Sequence, residues 1–360
     1  MFSLCGSLYE ASSVFDRIHE PSVYCWSAII QANVKHGQNQ ESIYLYQKMH
    51  RKSACITPDS HVFVAILKAC SNACEVMQGQ FIHGNIVELS FQCDVVITNA
   101  LIDMYHRCGS LQDAFRMFCQ SSKRDLITWN SMISGFANHK RCKEAYSLME
   151  QMRCNGVEPN LVTWNSVLSG YAQNGDYKKA LEILEQMQQA KIEPDCFTFT
   201  SLLKACGAKG AFSEGKWIHT QLIRSGIRFD LQISNALVDM YVKCGRLEDA
   251  CKETHKLSSC DVVTWTSMIV GYTQKGHGEH SLELFNEMKL KDMQPGKVAY
   301  SAALKACAGL GLRGIEEGRS IHDAIIKHGF DEDTVLGSSI IDLYAKCGKL
   351  EDAHFVFNRL

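Results

Sequence analysis

The sequence predicts an all-α fold built as a stacked array of helical repeats. Three observations carry this. First, Val162-Thr163-Trp164-Asn165-Ser166-Val167-Leu168-Ser169-Gly170-Tyr171 nearly copies Ile127-Thr128-Trp129-Asn130-Ser131-Met132-Ile133-Ser134-Gly135-Phe136. Second, Trp129 to Trp164 and Pro159 to Pro194 give the same 35-residue interval, and a fixed period of that size marks an array whose units pack on their neighbours. Third, the apolar residues within each copy recur at helical spacing.

The copy at 161–195 justifies the elements in order. Trp164, Val167, Leu168 and Tyr171 fall at i, i+3, i+4 and i+7 and predict a first helix. Asn174-Gly175-Asp176 breaks it. Tyr177, Ala180, Leu181 and Leu184 predict a second helix. Glu193-Pro194-Asp195 is expected to end that helix, because Pro lacks the backbone N–H and disfavours helix in the residue before it. Neither helix can bury its stripe alone, so the stack must do it.

The same template divides the chain into three kinds of unit. Long units with Trp at the fourth place run 126–160, 161–195 and 262–296, with 23–59 slightly longer. A second kind, 60–94, 196–230 and 297–333, carries Leu-Lys-Ala-Cys and a later His. Short units of 31 residues, 95–125 and 231–261, carry Asn-Ala-Leu and Cys-Gly-x-Leu, with partial copies at 1–22 and 334–360. Both ends read as interrupted repeats, so a piece of a longer protein is expected.

The 360 residues are 46% hydrophobic and 21% charged, which excludes disordered and collagen-like classes. No apolar run nears the roughly 18 residues of a membrane span, so no membrane contact is expected. A net charge of -2 argues against a partner held by charge alone. The 17 cysteines recur with the repeat, as Cys5, Cys108, Cys244 and Cys347 before Gly and as Cys70, Cys206 and Cys307 after Lys-Ala. They form no Cys-x-x-Cys, so the expectation is small packing residues in a reducing compartment, with no metal and no cofactor.

Two strings resemble consensus sequences of pentatricopeptide repeat (PPR) proteins of the plant subclass that alternates P, L and S motifs: Val-Val-Thr-Trp-Thr-Ser-Met-Ile-Val-Gly-Tyr at 262–272 and Leu-Val-Asp-Met-Tyr-Val-Lys-Cys-Gly-Arg-Leu-Glu-Asp-Ala at 237–250. The resemblance covers essentially the whole chain. It makes the long units P, the Cys-type units L and the short units S. It implies a right-handed α-solenoid that binds single-stranded RNA, one base per repeat, in a mitochondrion or chloroplast, often to specify C-to-U editing. The monomer is expected to be the working state. Full-length relatives add E and DYW-type domains that this stretch does not include, so any editing chemistry is expected from residues beyond it or from a deaminase or accessory factor in trans.

By the same resemblance the fifth and last residues of each unit select the base. The pairs are Ser27/Asp59, Asn99/Asp125, Asn130/Asn160, Asn165/Asp195, Asn235/Asp261 and Thr266/Gly296. Asn can donate to and accept from a base edge, and Asp can accept or orient its partner. The apolar second residues Val96, Ile127, Val162 and Val263 suit the flank of a flat base. Arg107, Lys243 and Lys346 share one place in the short units and could meet phosphate. The family pattern then gives G-N-U-Y-U-N-U-R-N-R. Gly296 leaves its unit half a code, Gln232 replaces an apolar flank, and Val64 cannot hydrogen-bond a base.

Blander readings stand beside these. Asn at the fifth place could be a helix cap or a solvated turn residue. The three cations could simply stabilise helix C-termini. The Trp series belongs to the core rather than to a stacking platform. His277-Gly278-Glu279 is expected in a turn and lacks the Pro-Cys-x-x-Cys partner of a zinc deaminase, so an enzyme is not expected. The competing class is a protein-binding helical scaffold of the tetratricopeptide kind, which the 35/35/31 alternation disfavours.

Overall fold

The structure is a computed structural model that describes residues 7–52, 57–91, 94–256 and 261–359. The Cys5-Gly6 copy of the short-unit motif, and Cys55, Cys93 and Cys260, lie outside the described residues. The described residues form helices joined by short turns, without a strand, in an all-α solenoid. Two compact bodies divide the chain, Met1–Asn174 and Gly175–Leu360, and the division falls between the two helices of the 161–195 unit.

In the first body the helices run Leu8–Asp16, Val23–Lys35, Asn39–Lys52, Ser60–Ala73, Val76–Glu88, Val95–Arg107, Leu111–Gln120, Leu126–Asn138, Cys142–Cys154 and Leu161–Gln173. In the units from 23 to 160, the first helix packs on the first helix of the next and on its own second helix. In the second body the order is Tyr177–Gln189, Cys196–Lys209, Phe212–Arg224, Leu231–Lys243, Leu247–Lys256, Val262–Gln274, Gly278–Leu290, Lys297–Leu310, a 3-10 turn Gly311–Gly314, Ile315–Lys327, Thr334–Lys346 and Leu350–Phe357, with the same neighbour packing.

The core is the sum of the helix stripes. Trp164, Val167, Leu168 and Tyr171 are all buried, and Trp26, Trp129 and Trp265 occupy the same place in their units. Trp129 meets Phe118 edge-on with ring centroids 4.9 Å apart. On the second helix of 161–195 the buried stripe is Ala180, Ile183, Leu184 and Met187, while Leu181 and Tyr177 sit at its margin. The stripe is displaced from the one expected because Ile183 and Met187 extend it along the i, i+3, i+4, i+7 line that starts at Ala180.

Helix ends differ from expectation. Tyr177–Gln189 stops well before Pro194, at Lys191 in the left-handed region (φ 58°), where Ile192 N–H returns to Met187 O at 3.1 Å. Gly156 (φ 77°) does the same after Cys142–Cys154. A left-handed residue that lets the chain hydrogen-bond back onto the last turn terminates these helices, and the proline follows in the linker.

Cys70, Cys206 and Cys307 are buried, and burial pushes each thiol up to about 12, so they stay protonated packing groups. Cys74, Cys119 and Cys154 are exposed and have no such role.

Candidate nucleic-acid interface

The last residue of a unit is the N-cap of the next unit's first helix. Asp59 accepts from Val62 N–H at 2.9 Å, Asp125 from Thr128 N–H at 2.8 Å and Asn160 from Thr163 N–H at 3.1 Å. In the second body Asp195 accepts from Thr198 N–H and Asp261 from Thr264 N–H, both at 2.9 Å. Short acceptors at this place satisfy an otherwise unpaired helix N–H. Gly296 caps Lys297–Leu310 without a side-chain bond.

The fifth residue lies inside the helix, one turn past the cap. The capping role considered for it therefore belongs to the last residue. The fold brings the fifth residue of one unit against the cap of the next. Asn99 Nδ2 donates to Asp125 Oδ1 at 3.2 Å, Asn130 Nδ2 to Asn160 Oδ1 at 3.3 Å and Asn235 Nδ2 to Asp261 Oδ2 at 3.1 Å. Asn160 Oδ1 already serves as the acceptor for Thr163 N–H, which fixes the direction of the Asn130–Asn160 bond.

Two of these caps, Asp125 and Asp261, are held ionised. Partial burial opposes the charge on Asp125, but bonds from the Thr128 backbone and hydroxyl and from Asn99 outweigh it and lower its pKa. At Asp261, burial is likewise outweighed by the Thr264 backbone, Asn235 and the Thr264 hydroxyl.

The other pairs are arranged differently. Ser27 is buried and accepts from Gln31 Nε2 at 3.1 Å, while Asp59 caps the next helix. Thr266 Oγ1 donates to its own helix, to Val262 O at 2.6 Å, and Gly296 offers no side chain. Asn165 is buried at the end of the first body, and Asp195 caps Cys196–Lys209 in the second.

Second residues point into solvent. Val96 and Ile127 are 61% exposed, Val162 and Val263 56%. Sequence reasoning missed Tyr24, Phe197, Val298 and Val335, which occupy the same place and are 53 to 81% exposed. Counting two residues into every unit, including those of Cys type, finds them. An apolar residue left in water at the same place of most repeats is informative where a scattered one is not.

The three shared cations are each engaged by a carboxylate one turn earlier. Arg107 Nε meets Asp103 Oδ1 at 2.9 Å, Lys243 Nζ meets Asp239 Oδ2 at 2.7 Å and Lys346 Nζ meets Asp342 Oδ2 at 2.8 Å. His277 is the N-cap of Gly278–Leu290, so Gly278 and Glu279 lie in the first helical turn and not in the linker. Among the described residues no three His, Cys, Asp or Glu side chains cluster so as to hold a metal.

This frame of helix pairs, with fifth residues set against the caps of the following units, is that of a helical-repeat protein of the pentatricopeptide class. Comparison places the chain there. The pentatricopeptide repeat domain pattern matches residues 147–209, the PPR repeat family pattern 124–163 and 261–309, and the PPR repeat pattern 24–53, 96–126, 197–227, 233–252 and 338–360. These segments cover well over half of the sequence, and the chain belongs to the pentatricopeptide repeat family. A mitochondrial pentatricopeptide repeat-containing protein of Arabidopsis thaliana is 31% identical over 99% of this chain and 46% of its own length. A chloroplastic one from the same plant is 29% identical over 100% of this chain and 52% of its own length. The chain thus spans about half the length of these curated relatives. In fold it is similar to the crystal structure of PPR10 from maize, with a TM-score of 0.62, 19% identity, and coverage of 99% of this chain and 57% of that one.

Proposed function

We propose that this chain binds single-stranded RNA, one base per repeat, as the sequence-reading part of an RNA-processing assembly in a mitochondrion or chloroplast. The observation that carries this is the side-chain bond between fifth and last residues in units 95–125, 126–160 and 231–261. In the first body these units also carry an exposed apolar second residue, Val96 and Ile127, whereas unit 231–261 carries Gln232 there. A polar edge with an apolar flank is what a splayed base needs, one for its Watson–Crick groups and one for its face. The arrangement follows the P, L and S alternation, and in that frame the preferred RNA is G-N-U-Y-U-N-U-R-N-R.

The near-neutral charge and the carboxylate-paired cations favour recognition through bases over recognition through phosphates. In this reading the described residues select and do no chemistry. C-to-U conversion would be supplied by residues outside this stretch or by a deaminase or accessory factor in trans, with the present array acting as a monomer that fixes the site. The names of the mitochondrial and chloroplastic relatives support the organelle assignment.

The test is a fluorescence titration against the ten-base RNA and against one whose U and Y places are purines. The reading expects clear preference for the first and a modest salt slope, each phosphate contact adding about -0.7 on the log–log scale. Equal binding of both RNAs, or a slope as steep as that of a phosphate-clamping protein, would sink it, and absence of RNA binding would favour a protein-binding scaffold.

A further inference from the structure

Asn at the fifth place predicts the third residue of the next unit. Asn99, Asn130, Asn165 and Asn235 are followed by Thr128, Thr163, Thr198 and Thr264. Where the fifth residue is Ser27, Val64, Thr200, Thr266 or Ser301, the third residue of the next unit is Val62, Ile97, Ile233, Ala299 or Leu336. Both sets are buried against the same core. A hydroxyl in that place is unfavourable unless it is bonded. Helix capping does not call for it, because Asp59 and Asp230 accept from Val62 N–H and Ile233 N–H at 2.9 and 2.8 Å with no hydroxyl present.

The hydroxyl is directed at the reading amide. Thr163 Oγ1 accepts from Asn160 N–H at 3.1 Å, so its own proton is free to donate, and of its two acceptors Asn130 Oδ1 at 2.6 Å is nearer than Asn160 Oδ1 at 3.1 Å. Thr264 Oγ1 has two acceptors in reach, Asn235 Oδ1, which is the nearer, and Asp261 Oδ1 at 3.0 Å. With Nδ2 bonded to the last residue and Oδ1 to the threonine, the amide cannot turn over. Its second N–H is then left in a fixed place for a base. At Asn99 the arrangement is looser. Thr128 Oγ1 gives its proton to Asp125 Oδ1 at 2.8 Å, and Asn99 Oδ1 is buried without a hydrogen-bond partner.

We infer that the third residue of the following unit is a positioning residue of the base-reading site. The hydroxyls of Thr163 and Thr264 fix the amides of Asn130 and Asn235, so base choice at those units depends on three residues, one of them from the next repeat. This rests on the base reading proposed above.

The experiment measures a ratio, the affinity for RNA with a pyrimidine facing unit 126–160 over that with a purine there. Thr163→Val lowers this ratio about two- to tenfold, the worth of one hydrogen bond, and leaves the ratio at the base facing 231–261 unchanged. Thr163→Ser retains the wild-type ratio. In an Asn130→Ala background Thr163→Val changes the ratio no further. Thr264→Val reads the same effect at the base facing 231–261 should Thr163→Val fail to fold. If Thr163→Val weakens both RNAs equally, its threonine is only a cap and the inference is wrong. If the wild-type chain shows no ratio at any base, the base reading itself falls and takes the inference with it.

Discussion

Units 126–160 and 60–94 share helices, caps and core, and they differ where a base would lie. In 126–160 the fifth residue, Asn130, is bonded at both ends of its amide. In 60–94 the fifth residue is Val64, which lines an open cavity of about 470 Å³ together with Gln31, Lys35, His61, Lys68 and Val96. The Cys-type unit puts its specific contacts elsewhere, at its junction with the following short unit. His83 Nδ1 bonds Tyr105 Oη at 2.8 Å, Cys108 Sγ donates to Cys70 O at 3.6 Å, and Gly79 lies directly under Met104. The second body repeats the device, with His219 on Tyr241 at 2.9 Å and His322 on Tyr344 at 3.0 Å. On the proposed function, one kind of unit is organised around reading and the other around holding its neighbour. A solenoid permits this because each interface needs only its own two helices to fit.

The contrast can be broken most sharply at the proposed reading residues. Asn235→Ala should cost about 1–3 kcal/mol of RNA affinity, or roughly fivefold to more than a hundredfold, for an RNA with U facing 231–261. Val64→Ala should leave base preference at every unit unchanged. The pair of titrations fails the comparison if both substitutions act alike.

The holding role is tested by two glycines. A Cβ on Gly318 would come within 2.5 Å of Leu343 Cδ2, whereas one on Gly84 meets nothing within 4 Å. Gly318→Ala should therefore destabilise by about 1–3 kcal/mol through overpacking. Gly84→Ala, inside Val76–Glu88, should stabilise by up to about 1 kcal/mol by restricting the unfolded chain. Denaturant melts of both variants give the signs, and equal signs would remove the junction from the account.

A smaller effect should appear with pH. Burial lowers the pKa of His83 despite Asp113. Burial also lowers that of His322, where Asp323 and Asp352 oppose and Arg359 assists. Both histidines thus bind a proton more weakly folded than unfolded. Stability is complete above the unfolded value of about 6.5 and is lost as pH falls below it, the loss levelling off below the folded value. A melt series from pH 8 to pH 5 should show this decline, and His83→Gln should flatten it. A decline unaffected by His83→Gln would place its origin elsewhere.

Much of this was legible in the sequence because the repeat does the alignment. Asn130 and Asn160 are 30 residues apart, and only the period associates them. The buried tryptophans were legible from helical spacing alone. Helix ends were not, because Pro194 is the conspicuous residue and the terminator is Lys191, whose left-handed backbone leaves no mark in its residue type. The threonines at the third place were visible as repeats of a letter. Their meaning needed the knowledge that the last residue is a cap, which puts the next unit's first turn beside the previous unit's Asn. The pairing of Arg107, Lys243 and Lys346 with acids one turn earlier could have been read from the i, i+4 spacing in Asp-Met-Tyr-x-[Arg/Lys] and its variant Asp-Leu-Tyr-Ala-Lys.

The central claim is that fifth and last residues choose the base. Its most direct test is Asn99→Thr, which converts the Asn/Asp pair of unit 95–125 to Thr/Asp. Wild-type and variant chains are titrated against two RNAs that differ only at the third base, U or G. The account predicts that wild type prefers U and the variant prefers G, with every other position unchanged. A variant that still prefers U, or that loses affinity for both RNAs without changing their order, would contradict it.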